Sequence, residues 1–573
     1  MTRREALGAG LLLGTLAGLW DGIAVVLENP RSFPDAGSVA TFVGATLALS
    51  IVVGGLVGGA LAALPRRPGP WIVAAGLGLG VFLWAGVRVH VRWFFGEPLT
   101  APRYALANLA LSAAALVLAF VVHRVLRGAI CRALAGGRLP AMSVGLFVLG
   151  VAAASLGRAP SGGRDKNQPA PDGAREVLLV TLDTTRADHL SVYGYPRGTT
   201  PNLDRLARTG RLWPIAYAPI PLTNPSHSSI FTGLLPREHG VRNNGTALAD
   251  ARTFVPDLAA DGWHCSAFVS GIPLKAGLSG LSAGFAVYDD RFSWLEGVHP
   301  MLTTLALVRV ANRVLPLDFI ERRATLTVRA AGAGLAASAA PRFGWVHLFD
   351  PHTPYDAPRP LQRRFARESA GWTAHGVDVC SWPIADYDAE IRETDRRFGQ
   401  LVQAWDEVTG GRGLVVVTAD HGEGLEQHGE LAHGTQLFEE DLRVPLIVRG
   451  SRAGIAPRPV STTILHDWIP AWARGEAPAE GTGPVTFLLE TFAPEGRQDQ
   501  SAVVDPESRK ILVNWATGEE ASFDLAADPG ETRALDPPPA WADLQEGLSP
   551  ATAEVDALDP EVVRRLRALG YLH

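Results

Sequence analysis

Apolar residues fall along this chain in two regimes. Up to Leu156 they come in nearly unbroken blocks, Ala6–Leu27, Val39–Leu64, Trp71–Val89 and Tyr104–Val122, with a shorter fifth block over Ala141–Leu156. Blocks of this length are what a helix needs to cross a bilayer, and a cleaved signal peptide would account for one of them at most. After Ala174 the apolar runs shorten. Leu178–Leu182, His264–Val269, Phe343–Leu348, Leu414–Thr418 and Pro445–Val448 read as buried strands, while Pro201–Thr209, Asp388–Val408 and Ser461–Trp472 carry helical periodicity. That alternation predicts a layered α/β sheet with its sites at strand ends. Beyond Phe487 the pattern turns to shorter strands, including Lys510–Asn514 and Glu520–Leu525.

These shifts divide the chain into a helical transmembrane domain over 1–157, a linker over 158–174 rich in Gly, Pro, Asp, Arg and Lys, an α/β domain over 175–486 and a C-terminal subdomain over 487–573. Basic residues alternate between the apolar blocks. Arg3, Arg4, Arg66, Arg67, Arg124, Arg127, Arg132 and Arg138 fall on one side, against Arg31, Arg88, Arg92 and Arg103 on the other. With five spans the positive-inside rule places the N-terminus in the cytoplasm and everything after Leu156 outside it. Asp21 and Asn108, inside two of the blocks, read as groups facing a neighbouring helix or an interface.

Charge and cysteine content exclude other classes. A formal net charge of -6, with no clustered basic stripe among 52 Lys and Arg, gives no footprint for nucleic acid. Three cysteines, Cys131, Cys265 and Cys380, cannot build a disulfide framework, and Cys265 and Cys380 read as buried thiols.

The chemistry lies where strands end. The β-branched run Val415–Thr418 empties into Ala419-Asp420-His421-Gly422-Glu423, and the strand ending at Leu182 runs into Asp183. Between them, Pro221-Leu222-Thr223-Asn224-Pro225-Ser226-His227 presents a hydroxyl just before a helical stretch. Two strand ends and one strand-to-helix turn can converge on one metal ion and one nucleophile.

At these residues the chain resembles the sulfatase branch of the alkaline phosphatase superfamily. Thr223, Pro225, Ser226, His227, Thr232 and Gly233 occupy in register a signature of the form C/S/T-x-P-S-[R/H]-x-x-x-x-T-G. An opening block Leu182-Asp183-Thr184-Thr185-Arg186-Ala187-Asp188-His189 is followed by Tyr193-Gly194 and Thr200-Pro201-Asn202-Leu203-Asp204. Phe349–Tyr355, Leu442–Leu446 and Phe523–Glu531 complete the set in family order. The resemblance covers roughly the last 400 residues, a length that suits one large α/β domain. It implies an alkaline phosphatase-like layered sheet with a small C-terminal antiparallel subdomain, closed here by a helix over Pro560–Leu569.

The resemblance also implies roles. Asp183, Asp420 and His421 would bind a divalent cation, Ca²⁺, Mn²⁺, Mg²⁺ or Zn²⁺, with Thr223 reaching it through its hydroxyl. Thr223 stands where well-known sulfatases carry a Cys or Ser that is oxidised to formylglycine. Threonine has a methyl on that carbon, so oxidation could give only a ketone. An unmodified Thr is instead the nucleophile pattern of phosphodiesterases and phosphoethanolamine transferases of the same superfamily, which opens phosphoester hydrolysis or group transfer beside sulfate hydrolysis. As plain structure, Thr223 would be a helix N-cap.

His227 would orient or acidify the nucleophile, or serve as a hydrogen-bonded core histidine. His352 would contact the anion or protonate the leaving group. His433 stands where many sulfatases have a lysine on the ester oxygen, and with His352 and Asp350 it could hold a second metal. Asp350 could equally close the turn before Pro351; Glu423 and His428 are assigned to loop structure or support of the site, and Lys275 to solvent. Position 184, acidic in many sulfatases, is Thr here. The expected function is a membrane-anchored, metal-dependent hydrolase or transferase acting on a sulfate or phosphate ester of a small molecule, lipid or glycan, its catalytic domain outside the cytoplasm. The alternative is a catalytically weakened sulfatase-like membrane protein that binds an anionic ligand.

Overall fold

A computed structural model describes residues 173–536 apart from 250–251, 293–321, 369–372, 375–376, 380, 452, 457, 479–486, 492–499 and 516, together with Trp541, Leu544 and Leu548. The expected membrane domain, the linker as far as Asp172, Cys131, Cys380 and the helix over Pro560–Leu569 lie outside the described residues. Among the described residues no helix is long and apolar enough to cross a membrane.

A nine-stranded mixed sheet forms the frame. Its centre is three parallel strands, β1 (Val177–Leu182), β5 (Arg342–Leu348) and β8 (Leu414–Ala419), with β1 between the other two. β1 and β8 are buried at every position, as expected for strands covered on both faces. Outward from β5 come β3 (His264–Phe268) and β4 (Val287–Asp289), both parallel. Outward from β8 the sheet turns antiparallel through β9 (Arg443–Arg449) to β2 (Gly210–Tyr217), whose edge carries the short strands β10 (Gly454–Ile455) and β11 (Val460–Ser461). β6 (Thr373–Ala374) and β7 (Val377–Asp378) pair with each other.

Register decides where the chemistry collects. Leu182 is aligned with Leu348 on one side and with Ala419 on the other, so three central strands end at one level. Asp183, Phe349 and Asp420 are the next residues out.

The five expected strands are all present. The expected helices are α1 (Pro201–Thr209), α4 (Ile384–Thr409) and α6 (Leu465–Ala473). α4 starts four residues ahead of Asp388, and its stripe of Ile384, Tyr387, Ile391, Phe398, Leu401 and Trp405 is buried at intervals that fit a helix face. α6 starts later than Ser461, because that residue ends β11 and caps a 3₁₀ turn by accepting from Thr463 N. α2 (Thr223–Thr232) carries the hydroxyl, and α3 (Ala324–Ala337) packs its small residues on α4 and β5. β2 is an addition to the expected set; it contains Pro214 and a bulge between Trp213 and Ala216, features that disguise a strand in sequence.

The C-terminal sheet is a four-stranded antiparallel meander of β12 (Phe487–Thr491), β13 (Gln500–Val504), β14 (Arg509–Asn514) and β15 (Glu519–Asp524). One face packs Ala502, Val504, Leu512 and Phe523 against Tyr217, Leu437 and Leu442, so it covers the segment between β8 and β9. A polar clamp crosses the same contact. Lys510 Nζ, fully buried, lies 2.7 Å from Glu531 Oε1 and 3.6 Å from Glu439 Oε1. Glu531 Oε2 accepts from the backbone N of Glu439 (2.6 Å), which opens α5 (Glu439–Leu442), and Tyr217 donates its hydroxyl to Glu439 Oε2 (3.2 Å). His428 bridges Glu440 Oε1 (2.7 Å) and the Glu531 carbonyl (3.2 Å). The loop assignment of His428 is therefore the observed one.

Candidate active site and metal centre

Asp183 and Asp420 leave adjacent parallel strands, and both are fully buried. Asp183 Oδ2 lies 3.1 Å from His347 Nε2, and its Oδ1 is buried with no hydrogen-bond partner. Asp420 Oδ1 accepts from the backbone N of Thr184 (3.2 Å) and of His421 (2.9 Å), while its Oδ2 is likewise buried and without a hydrogen bond. Burial pushes the Asp183 carboxyl up to about 7, and burial together with the charge of Asp183 raises that of Asp420.

His421 completes the group. Its Nδ1 donates to the Gly422 carbonyl (2.9 Å), which leaves the Nε2 lone pair free to bind. One ligand atom each from Asp183, Asp420 and His421 lie within 4.8 Å of one another, all three buried. Two orphaned carboxylate oxygens and an imidazole nitrogen at that spacing fit a divalent cation. Gly422 must be glycine, because a Cβ there would collide with the carbonyl oxygen of Glu440.

Thr223 is the first residue of α2, with Leu222 at the N-cap position, so Thr223 does not cap the helix. Its hydroxyl lies 3.4 Å from His421 Nε2. α2 is tied to the end of β8 by Ser226 Oγ, which donates to the Asp420 carbonyl at 2.6 Å.

His227 fills its core role. Nδ1 donates to the Thr223 carbonyl (2.7 Å), Nε2 meets Thr181 Oγ1 (2.9 Å), and burial pushes the ring down to about 3. These contacts tie the ring to the backbone under Thr223. His227, His347 and Asp420 also come within metal-binding distance of one another. Both imidazoles are committed to other partners, which leaves that trio a support for the first site.

His352 and His433 stand beside His421. Ring centroids of His421 and His433 are 4.3 Å apart, those of His433 and His352 5.1 Å, and Phe349 stacks on His352 at 4.4 Å. Glu423 Oε1 lies 3.0 Å from His433 Nδ1, and Tyr355 donates to Glu423 Oε2 at 3.4 Å. Asp350 Oδ2 accepts from the backbone N of Ala324 (2.6 Å), the first residue of α3, and so caps that helix. Lys275 sits 4.4 Å over the Phe292 ring and donates to the Asp290 carbonyl.

Thr184, between Asp183 and the rest of the opening block, has φ +47°, a conformation that costs a β-branched residue of order 1–3 kcal/mol. Its N–H holds Asp420, and its carbonyl accepts from Tyr387 (2.6 Å).

His347 escaped the reading of the sequence. The signal was a single polar residue inside the apolar strand Phe343–Leu348, whose meaning depends on the register with β1.

Comparison with known proteins shows similarity to sulfatases. A model of the sulfatase family matches residues 175–262 and 323–473. N-acetylgalactosamine-6-sulfatase of Canis lupus familiaris is 30% identical over 141 residues, 20% of this chain and 27% of that protein. N-acetylglucosamine-6-O-sulfatase of Bacteroides thetaiotaomicron is 28% identical over 156 residues, 26% of this chain and 27% of that protein. The chain thus spans about a quarter of the length of these curated relatives. The solved structure of BT4656 in complex with its substrate D-glucosamine-2-N,6-O-disulfate superposes with a TM-score of 0.50 at 16% identity, covering 65% of this chain and 95% of that one.

Proposed function

Because the chain belongs to the sulfatase family of the alkaline phosphatase superfamily, we propose that it is a divalent-metal-dependent hydrolase, or a transferase, acting on sulfate or phosphate esters. The observation that carries this reading is the Thr223 hydroxyl 3.4 Å from His421 Nε2, beside the orphaned oxygens of Asp183 and Asp420. Curated relatives named as sulfatases of amino sugars make a sugar ester the substrate class of choice.

Asp183, Asp420, His421 and the Thr223 hydroxyl would hold the cation. When bound, it would supply positive charge that lowers the pKa of the hydroxyl and screens the anionic substrate. Thr223 Oγ1, its proton released to solvent water, bonds to sulfur or phosphorus as the bond from that atom to the ester oxygen breaks. Burial raises the Glu423 carboxyl well above its ordinary range, and its Oε1, 3.0 Å from His433 Nδ1, orients the ring. In its protonated form His433 can give a ring proton to the departing oxygen and is left neutral. Water, or an acceptor alcohol in a transferase, then attacks the threonyl ester and restores the hydroxyl.

The apolar blocks within 1–157 support an anchored enzyme whose site lies outside the cytoplasm. A reporter fused after Gly157 should be active only outside, and one near Arg66 only inside. The chemistry is tested by metal analysis of the purified protein alongside aryl sulfate, phosphate monoester and phosphodiester substrates. Turnover of any of these that is lost on chelation and restored by a divalent cation supports the reading. Full turnover in the metal-free protein would overturn it.

A further inference from the structure

His347 is the fourth corner of the buried site and belongs to none of the family blocks found in the sequence. It lies on β5 with its ring wholly buried, aligned with Thr181 of β1. Burying an imidazole between sheet strands is costly unless its nitrogens are used, and here both have neighbours. Nε2 is 3.1 Å from Asp183 Oδ2; Nδ1 is 3.3 Å from Ser270 Oγ, at the end of β3. Gly271 keeps the backbone close to the ring, since a Cβ there would stand 3.2 Å from the His347 Cε1 atom.

A carboxylate that binds a cation is ionised and can only accept, so in that state the hydrogen between His347 and Asp183 sits on Nε2. One oxygen of Asp183 is thereby engaged. The other, Oδ1, is left without a hydrogen-bond partner next to Asp420 and His421. We propose that His347 is a positioning residue that holds Asp183 by one oxygen and so presents the other, as a single ligand atom, to a divalent cation. The inference rests on the metal reading of the site. It adds that metal affinity depends on a side chain that does not touch the metal, as partners behind a ligand commonly do.

Reach distinguishes this role from mere packing. The Gln amide can extend to the place of Nε2, whereas the Asn amide stops near Nδ1 and Leu has no donor. Full-length parent, His347→Gln, His347→Asn and His347→Leu would be stripped with a chelator and titrated calorimetrically with Mn²⁺ and with Zn²⁺. His347→Asn and His347→Leu should bind about 10–100-fold more weakly, and His347→Gln close to the parent. Asn and Gln are both polar amides, so comparing them keeps the test sound if the Leu variant folds poorly. Equal affinity of the parent and His347→Asn, or a loss in His347→Gln as large as in His347→Asn, would overturn the positioning role while leaving the metal reading intact. A parent that binds neither cation overturns the metal reading and this inference with it.

Discussion

Glu423 holds His433 through a contact of 3.0 Å between Oε1 and Nδ1, both side chains buried, with Tyr355 closing the far side of the carboxyl. A histidine so held has its ring plane fixed. Glu423→Ala and His433→Ala should each lower kcat by roughly 10²–10⁴-fold, the range of a general acid, with KM little changed. Because the two act as a unit, the double variant should be no worse than His433→Ala alone. Additive losses in a double-mutant cycle would separate them.

Thr223→Ser keeps the oxygen and should retain turnover with no modifying enzyme present. Thr223→Val keeps the shape and should lose roughly three or more orders of magnitude on the best ester substrate. Brief reaction of the parent should leave a phosphoryl or sulfuryl group on the Thr223 peptide, read by mass spectrometry. Unchanged hydrolysis by Thr223→Val would make water the nucleophile.

Asp420→Ala removes a charged ligand and should abolish both activity and bound metal, measured by elemental analysis. Asp188→Ala, nearby in the same opening loop system, should cost little. Its carboxylate is partly exposed and pairs with Arg186 at 2.8 Å, and Arg186 keeps the Glu423 carbonyl and Gln427 as further partners. Equal metal content in Asp420→Ala and the parent would remove Asp420 from the centre.

Asp350 gives a pH signature. Burial raises its carboxyl to about 6 from an ordinary value near 3.8. Between those values the folded state binds more protons than the unfolded one, so stability contributed by Asp350 is present below the window and declines as pH rises through it, by at most about 1.4 kcal/mol per pH unit. Asp350→Asn keeps an oxygen to cap α3 and cannot ionise. Thermal melts from pH 4 to pH 7 should therefore show a shallower fall in the variant, and turnover should stay close to that of the parent. A large loss of turnover would return Asp350 to the metal chemistry.

Strand ends were the legible part of this molecule. Asp183, Asp420 and His421 could be found because each follows a short apolar run, and the motif around Thr223 ties a hydroxyl to the same place. Asp350 stays open to two readings in the sequence for the opposite reason. It is two residues from His352 in sequence, but the turn at Pro351 sends its carboxylate back to the start of α3. His347 could not be recognised from its own neighbours, since a polar residue in a buried strand acquires its purpose only from what the adjacent strand places beside it. The clamp of Lys510, Glu531 and Glu439 was equally hidden: Lys510 and Glu439 are 71 positions apart and meet only once two sheets have packed.

That clamp makes the end of the chain answerable for the fidelity of a site it never touches. The segment from Gly422 to Leu442 hangs between two anchors, the central sheet at Asp420 and the C-terminal meander at Glu439, with Glu423 and His433 suspended between them. Cutting the chain ahead of Phe487 would spare every proposed ligand yet uncover Tyr217, Leu437 and Leu442 and remove the Glu531 carboxylate that holds the backbone N of Glu439. Such a fragment would keep the tools of the reaction and lose the grip that aims them.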